Sequence, residues 1–389
     1  MDIYKPKAWL SEKADIDYYL HNEAVNRLWA DFEQKNNERV PAVFAYDEQL
    51  LIELSGDCSY KKFYTDPVIN ARVNLDGLKW TANNIVADRH IGQEPGTLTI
   101  PVWDWMMESK FFGCEIQYQE NERAWGRPID INDEDLLGYI EDIDPEDALR
   151  RTNACRMYFA LSEYLEGKTY EGHPLQVGNP LLGTHGPFTK LIEIIGMERV
   201  MYMMADNRDL VVNLLLAVVE KTIERMKAAY TLLGQQPPAK VPFGIGCDDS
   251  LMLISAADYL ECVYPCYKYF YENSTASSAG IHLCGKAAHL YKTLYEHIGL
   301  RSIDGPGVFC DHGKFLAELP DFVFRHAQFN HSVFLESREN ILKMVQGLMT
   351  PGAKQPGRFS LMGMLQSKDA LQNILYCYDM VKQYGKINL

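Results

Sequence analysis

Between two glycines, the run Gly280-Ile-His-Leu-Cys-Gly285 sets a histidine and a cysteine two residues apart. In a strand, residues i and i+2 point to one face, so the imidazole of His282 and the thiol of Cys284 would share it. Both groups are good zinc ligands, and flanking glycines let backbone or a substrate come close. The same pair also fits a buried thiol beside a hydrogen-bonded histidine at a strand end. The surrounding elements must decide between these readings.

Hydrophobic patterning predicts strands over residues 40–46, 97–104, 175–178, 241–246, 280–284, 301–304, 322–329 and 358–362, with a short extra strand at 114–118. Helical spacing covers 66–87, 188–205, 209–233, 256–274, 287–298, 313–319, 338–348 and 368–384. Alternation of strand and helix implies a parallel sheet, and about eight such units imply an α/β (β/α)8 TIM barrel. Residues 1–36 read as a helical N-terminal extension, with Tyr18, Leu20, Val25, Leu28 and Trp29 at helical spacing, and residues 37–389 as the barrel. The acidic stretch 129–147 reads as a solvated face or loop. In a barrel the active site lies where strands end, and chemistry-bearing residues recur there: Asp104, Asn179, Cys247-Asp248-Asp249, His282 with Cys284, Asp304, and Gln328 with Asn330-His331.

Composition narrows the function class. With 53 acidic and 38 basic residues the net charge is −15, which disfavours a sequence-independent hold on nucleic acid or on an anionic membrane. No apolar run approaches the length of a membrane helix, and the first residues lack the apolar core of a secretory signal, so a cytoplasmic enzyme is expected. The nine cysteines are scattered through apolar surroundings, as reduced core thiols are. Pro265 between Cys262 and Cys266 favours packing over ligation at that pair.

Several of these stretches resemble the uroporphyrinogen decarboxylase superfamily, which includes zinc-dependent methyltransferases acting on corrinoid proteins and coenzyme M. Asn37-Glu-Arg-Val-Pro41 resembles the family's opening strand, Phe112-Gly-Cys-Glu-Ile116 its leucine-glycine segment, and Gly186-Pro-Phe-Thr189 its glycine-proline-phenylalanine-threonine turn. Asp248-Asp249, Ser255 and Tyr264-Pro265 are similar to its aspartate, serine and proline run. His282-Leu-Cys-Gly285 matches the histidine-x-cysteine-glycine motif of the methyltransferase branch and is the most specific signal. Where that branch has a glycine-cysteine near its C-terminus, this chain has Gly363-Met364. Where the decarboxylase branch keeps an aspartate for the pyrrole nitrogens, this chain has Asp104, but the arginine-rich entry motif is absent.

The methyltransferase resemblance implies zinc held by His282 and Cys284, with Cys247, Cys310 or a carboxylate of Asp248 or Asp249 in place of the missing thiolate. Bound zinc lowers the pKa of a substrate thiol so that thiolate can accept a methyl group. The partners then expected are a small-molecule substrate and a corrinoid protein, and a homodimer is among the expected assemblies. Asp104, Asp248 and Asp249 are the candidate catalytic carboxylates, and Tyr264, Asn330 and His331 the candidate substrate-lining residues. Decarboxylation of a porphyrinogen would instead need a strongly basic cleft, and nothing in the spacing gathers Arg123, Arg127, Arg301 and Arg325. A third reading is a non-catalytic barrel that has lost its third metal ligand.

Overall fold

A computed structural model describes residues 13–92, 96–276 and 279–387. Among the described residues ten strands follow in chain order: β1 (Ala42–Tyr46), β2 (Leu98–Ile100), β3 (Glu115–Gln117), β4 (Trp125–Arg127), β5 (Thr169–Tyr170), β6 (His173–Val177), β7 (Ala279–His282), β8 (Leu300–Pro306), β9 (Phe324–Phe329) and β10 (Phe359–Leu365). The central sheet is five-stranded and parallel throughout, in the order β1-β10-β9-β8-β7. Its first and last strands in sequence are therefore neighbours. β2 and β6 pair in parallel in a second sheet completed by β5, and β3 pairs with β4.

Helices Tyr291–Ile298, His312–Glu318, Arg338–Leu348 and Leu371–Tyr384 follow β7, β8, β9 and β10 in turn, so this half of the chain is a run of strand-helix units. β7 and β9 alternate buried with less buried residues. Ile281, Ile303, Ala327 and Leu361 are buried. Each such side chain contributes about 1–3 kcal/mol through burial. Arg325 points the same way and is also fully buried, its guanidinium 5.4 Å from the Tyr291 ring centre and 5.5 Å from that of Phe315. The alternate residues point to the other face of the sheet, where the cavity lies.

Local sequence explains the departures from expectation. Residues 241–247 form no regular strand, because Pro242 has no amide hydrogen to give a ladder and Gly244 and Gly246 favour irregular backbone. The segment is instead pinned beside β7 by bridges from Val241 to Ser274 and from Cys247 to His282. The helix expected over 188–205 breaks at Gly196, whose φ of 92° suits glycine, into Pro187–Ile195 and Met197–Asp206. The acidic stretch carries helices Asp133–Glu141 and Pro145–Arg150: Leu136, Ile140 and Leu149 are buried, and acidic side chains in both first turns complement the helix dipoles. Helix Tyr18–Glu33 lies against the sheet, with the Trp29 indole donating to the Asp88 carbonyl at 2.7 Å and Phe32 packed edge-on to Phe324. No helix among the described residues is long and apolar enough to cross a membrane.

Candidate metal centre and cavity

His282 ends β7, and its backbone clamps the neighbouring irregular segment from both sides. Its amide donates to the Gly246 carbonyl at 2.8 Å, and its own carbonyl accepts from the Asp248 amide at 3.1 Å. That pairing brings Cys247 and Asp249 alongside the imidazole. The Cys247 sulfur, an Asp249 carboxylate oxygen and a His282 ring nitrogen all lie within 4.8 Å of one another. Cys284 joins them from the following loop: its sulfur is 3.0 Å from His282 Nε2, and its amide donates to Asp249 Oδ1 at 2.6 Å. On the other side of the ring, Nδ1 is 2.8 Å from Asp304 Oδ1. A carboxylate there fixes the tautomer and leaves Nε2 facing the thiols, the arrangement usual behind a metal-bound histidine.

Electrostatics match a site short of positive charge. Burial alone would pull the His282 imidazolium down, but hydrogen bonds to Asp304 and Cys284 outweigh it and hold its pKa at about 10. Burial, reinforced by the neighbouring Asp249, pushes the Cys247 thiol well above its usual range. A dication would reverse both effects by favouring thiolate and neutral imidazole. The donor set of soft sulfur, borderline imidazole and carboxylate fits zinc, so these residues pass the chemical test for that ion.

A cavity of about 810 Å³ opens beside this cluster. Register places His282, Asp304, His326 and Ser360 in one row across β7, β8, β9 and β10, and all four line the cavity. Toward the strand starts the lining continues with Gly280, Ser302 and Phe324 and reaches Trp29 of the N-terminal helix. Glycine and serine at these inward positions leave the space open. A Cβ on Gly280 would come within 2.6 Å of Ser302 Oγ.

Asp104 and Glu108 enter the cavity wall from the loop and helix after β2. Asp104 Oδ1 accepts from the Met106 amide at 3.1 Å, and burial, outweighing the hydrogen bonds of the Met106 and Ala154 backbone, pushes the carboxyl up to about 6. Glu108 is the opposite case. Burial would raise it, yet Lys190 at 3.7 Å and Arg225 at 3.0 Å hold it below the usual carboxylate range, and it also accepts from the Thr184 hydroxyl and the His185 amide and ring.

The cavity thus gathers Asp104, Cys247 and His282, with Asp249 and Cys284 reaching the same imidazole. Asp248 lies outside its lining. It is fully buried and anchors the start of helix Pro187–Ile195, accepting from the Thr189 amide at 2.6 Å and the Tyr267 hydroxyl at 2.8 Å. Tyr264 packs against His297 with ring centres 5.0 Å apart, also outside. Asn330 is exposed, and His331 Nδ1 accepts from the Gln366 amide at 3.2 Å. Cys310 lies beyond the lining, its thiol raised by burial near Arg325. Met364 pairs with Ala45 in the sheet and does not line the cavity. Sequence reasoning missed Glu108, His185, Lys190 and Arg225, which come from three separate segments with no shared spacing.

No protein-family model matches this chain, and no curated protein matches it. Solved structures do. The chain is similar to a methyltransferase from Methanosarcina mazei, with a TM-score of 0.60 over 92% of this chain and 98% of that one. The two share a fold. At 14% identity the likeness extends no further than that.

Proposed function

We propose that the chain is a zinc-dependent methyltransferase of the uroporphyrinogen decarboxylase superfamily, moving a methyl group between a corrinoid protein or small methyl donor and a thiol. The observation that carries this reading is the convergence of Cys247, Asp249 and His282 at one end of an open cavity. In this reading Cys247 takes the part expected of a C-terminal cysteine, and Cys284 stands beside it. Zinc held by these residues supplies Lewis acidity that turns an acceptor thiol into thiolate at neutral pH. The protein's own contribution is placement. Asp304 holds the His282 ring with Nε2 toward the thiols. The acceptor sulfur forms a bond to the methyl carbon while the donor atom leaves with the electron pair of the bond that breaks, and the thiol proton passes to solvent.

The same proposal takes the described strands as parts of a closed (β/α)8 barrel over residues 37–389, with residues before it as an extension. It sets the reaction in the cytoplasm, where thiol ligands stay reduced. Porphyrinogen decarboxylation draws no support from the cavity, whose lining includes three carboxylates and no arginine or lysine among the described residues. A substrate rich in carboxylates would meet repulsion there. Metal analysis of the purified protein and transfer from methylcobalamin to a small thiol test the reading together. Near-stoichiometric zinc and thiol methylation that both vanish in His282→Ala are expected. Zinc-free protein that cannot be loaded would overturn it.

A further inference from the structure

The cavity's charge is one-sided in a way that the metal cluster does not explain. Its lining carries the carboxylates of Asp104, Glu108 and Asp304. Glu108 is matched by Lys190 and Arg225, and Asp304 by His282. Asp104 is left over. It lines the cavity, its hydrogen bonds come from the Met106 and Ala154 backbone, and the cation that acts on it, Arg156, is exposed and makes no hydrogen bond to it. A largely buried carboxylate with no cationic side chain bonded to it costs free energy unless an opposite charge meets it. Beside it in the chain is Trp105, which lines the same cavity with its indole nitrogen tied at 2.9 Å to Glu48, outside the cavity lining. Trp29 and Phe324 add two more aromatic rings at the strand starts.

Carboxylate plus aromatic faces, without competing lysine or arginine, is the environment that suits a weakly hydrated cation bearing no N–H donors. A primary amine would ask for several acceptors, and an anion would meet three carboxylates. We propose that this cavity binds a small methylated onium cation, a quaternary ammonium or tertiary sulfonium, with Asp104 as its counter-charge and Trp105 as an aromatic wall. The inference rests on the methyl-transfer reading above and names the donor class it lacked. An onium centre also leaves as a neutral amine or thioether once its methyl carbon has bonded to the acceptor sulfur, so charge and electrons balance without a further reactant.

The test is calorimetric titration of the full-length, zinc-loaded protein with choline, with its neutral isostere 3,3-dimethyl-1-butanol, and with isovalerate. Choline should bind at least about tenfold more tightly than the isostere, and isovalerate should not compete. Asp104→Asn should weaken choline by about tenfold or more, the usual scale for removing one partner of a desolvated charge pair. Trp105→Leu, at a partly exposed position, should weaken it by about three- to thirtyfold. Equal affinity for choline and its isostere, or unchanged choline binding in both variants with native melting behaviour, would overturn the inference. Zinc content is read in the same samples. Stoichiometric zinc without onium preference sinks this inference alone, whereas onium preference in protein that cannot hold zinc sinks the methyl-transfer reading alone.

Discussion

Around Glu108 charge is matched from within the protein, while around His282 two thiols and two carboxylates crowd one imidazole, yet both clusters border the same cavity. Glu108 accepts from Arg225, Thr184 and His185, with Lys190 close by, and Arg225 in turn donates to the carbonyls of Leu181 at 2.6 Å and Gly183 at 2.7 Å. Such a network ties together the helix after β2, the loop at 181–185 and helix Arg208–Leu232. It has no use for a ligand. The His282 cluster has one ring nitrogen shared among Cys284 at 3.0 Å, Asp249 at 3.6 Å and the nearby Cys247. The lesson is that burial and charge do not distinguish a structural cluster from a binding one; the state of its hydrogen-bond and charge balance does.

The largest effect should come from breaking the matched cluster. Glu108→Ala leaves two buried cations without their carboxylate and should cost about 3–5 kcal/mol of stability by denaturant unfolding. The sign of its pH dependence follows from the lowered pKa of Glu108: its contribution is present above the unfolded carboxyl range and is lost as pH falls from there toward its folded value. The parent should therefore lose stability in acid more steeply than the variant. A cost under about 1 kcal/mol would erase the contrast between the clusters.

Cys247→Ala is the next test and should separate binding from folding. Zinc affinity should fall steeply, because one of only three or four ligands is gone, while metal-free stability changes little. Retained zinc at parental affinity would mean that Cys247 merely packs. Asp304→Asn acts one step back, on the orientation of the His282 ring, and should weaken zinc by about 10- to 100-fold in a competition titration. Met364→Cys should have the smallest effect. Its position in β10 lies outside the cavity lining, so a thiol there should leave zinc affinity unchanged, and a clear gain would move the third ligand from Cys247 to the C-terminal strand.

Local pattern was enough to read β7, β8, β9 and β10 with the helices between them, because each is a short apolar run followed by a segment of helical period, and these signals need no distant partner. The nearness of His282 and Cys284 was legible from a spacing of two, but β7 ends at His282, and Cys284 reaches the ring from the following loop and not from a shared strand face. What the sequence could not rank was the third candidate ligand. Cys247 and Cys310 both follow strand-like runs, and only the hydrogen bonds between His282 and the segment at 246–248 bring one of them to the imidazole and leave the other near Arg325. Asp248 and Asp249 are adjacent in the chain, yet one is consumed inside as a helix anchor while the other faces the histidine. Glu108, Lys190 and Arg225 meet from positions far apart, so no spacing announced them. Residue types and strand period are properties of the chain itself. Which side chains finish within bonding distance depends on register and packing between elements, and the tertiary structure alone decides that.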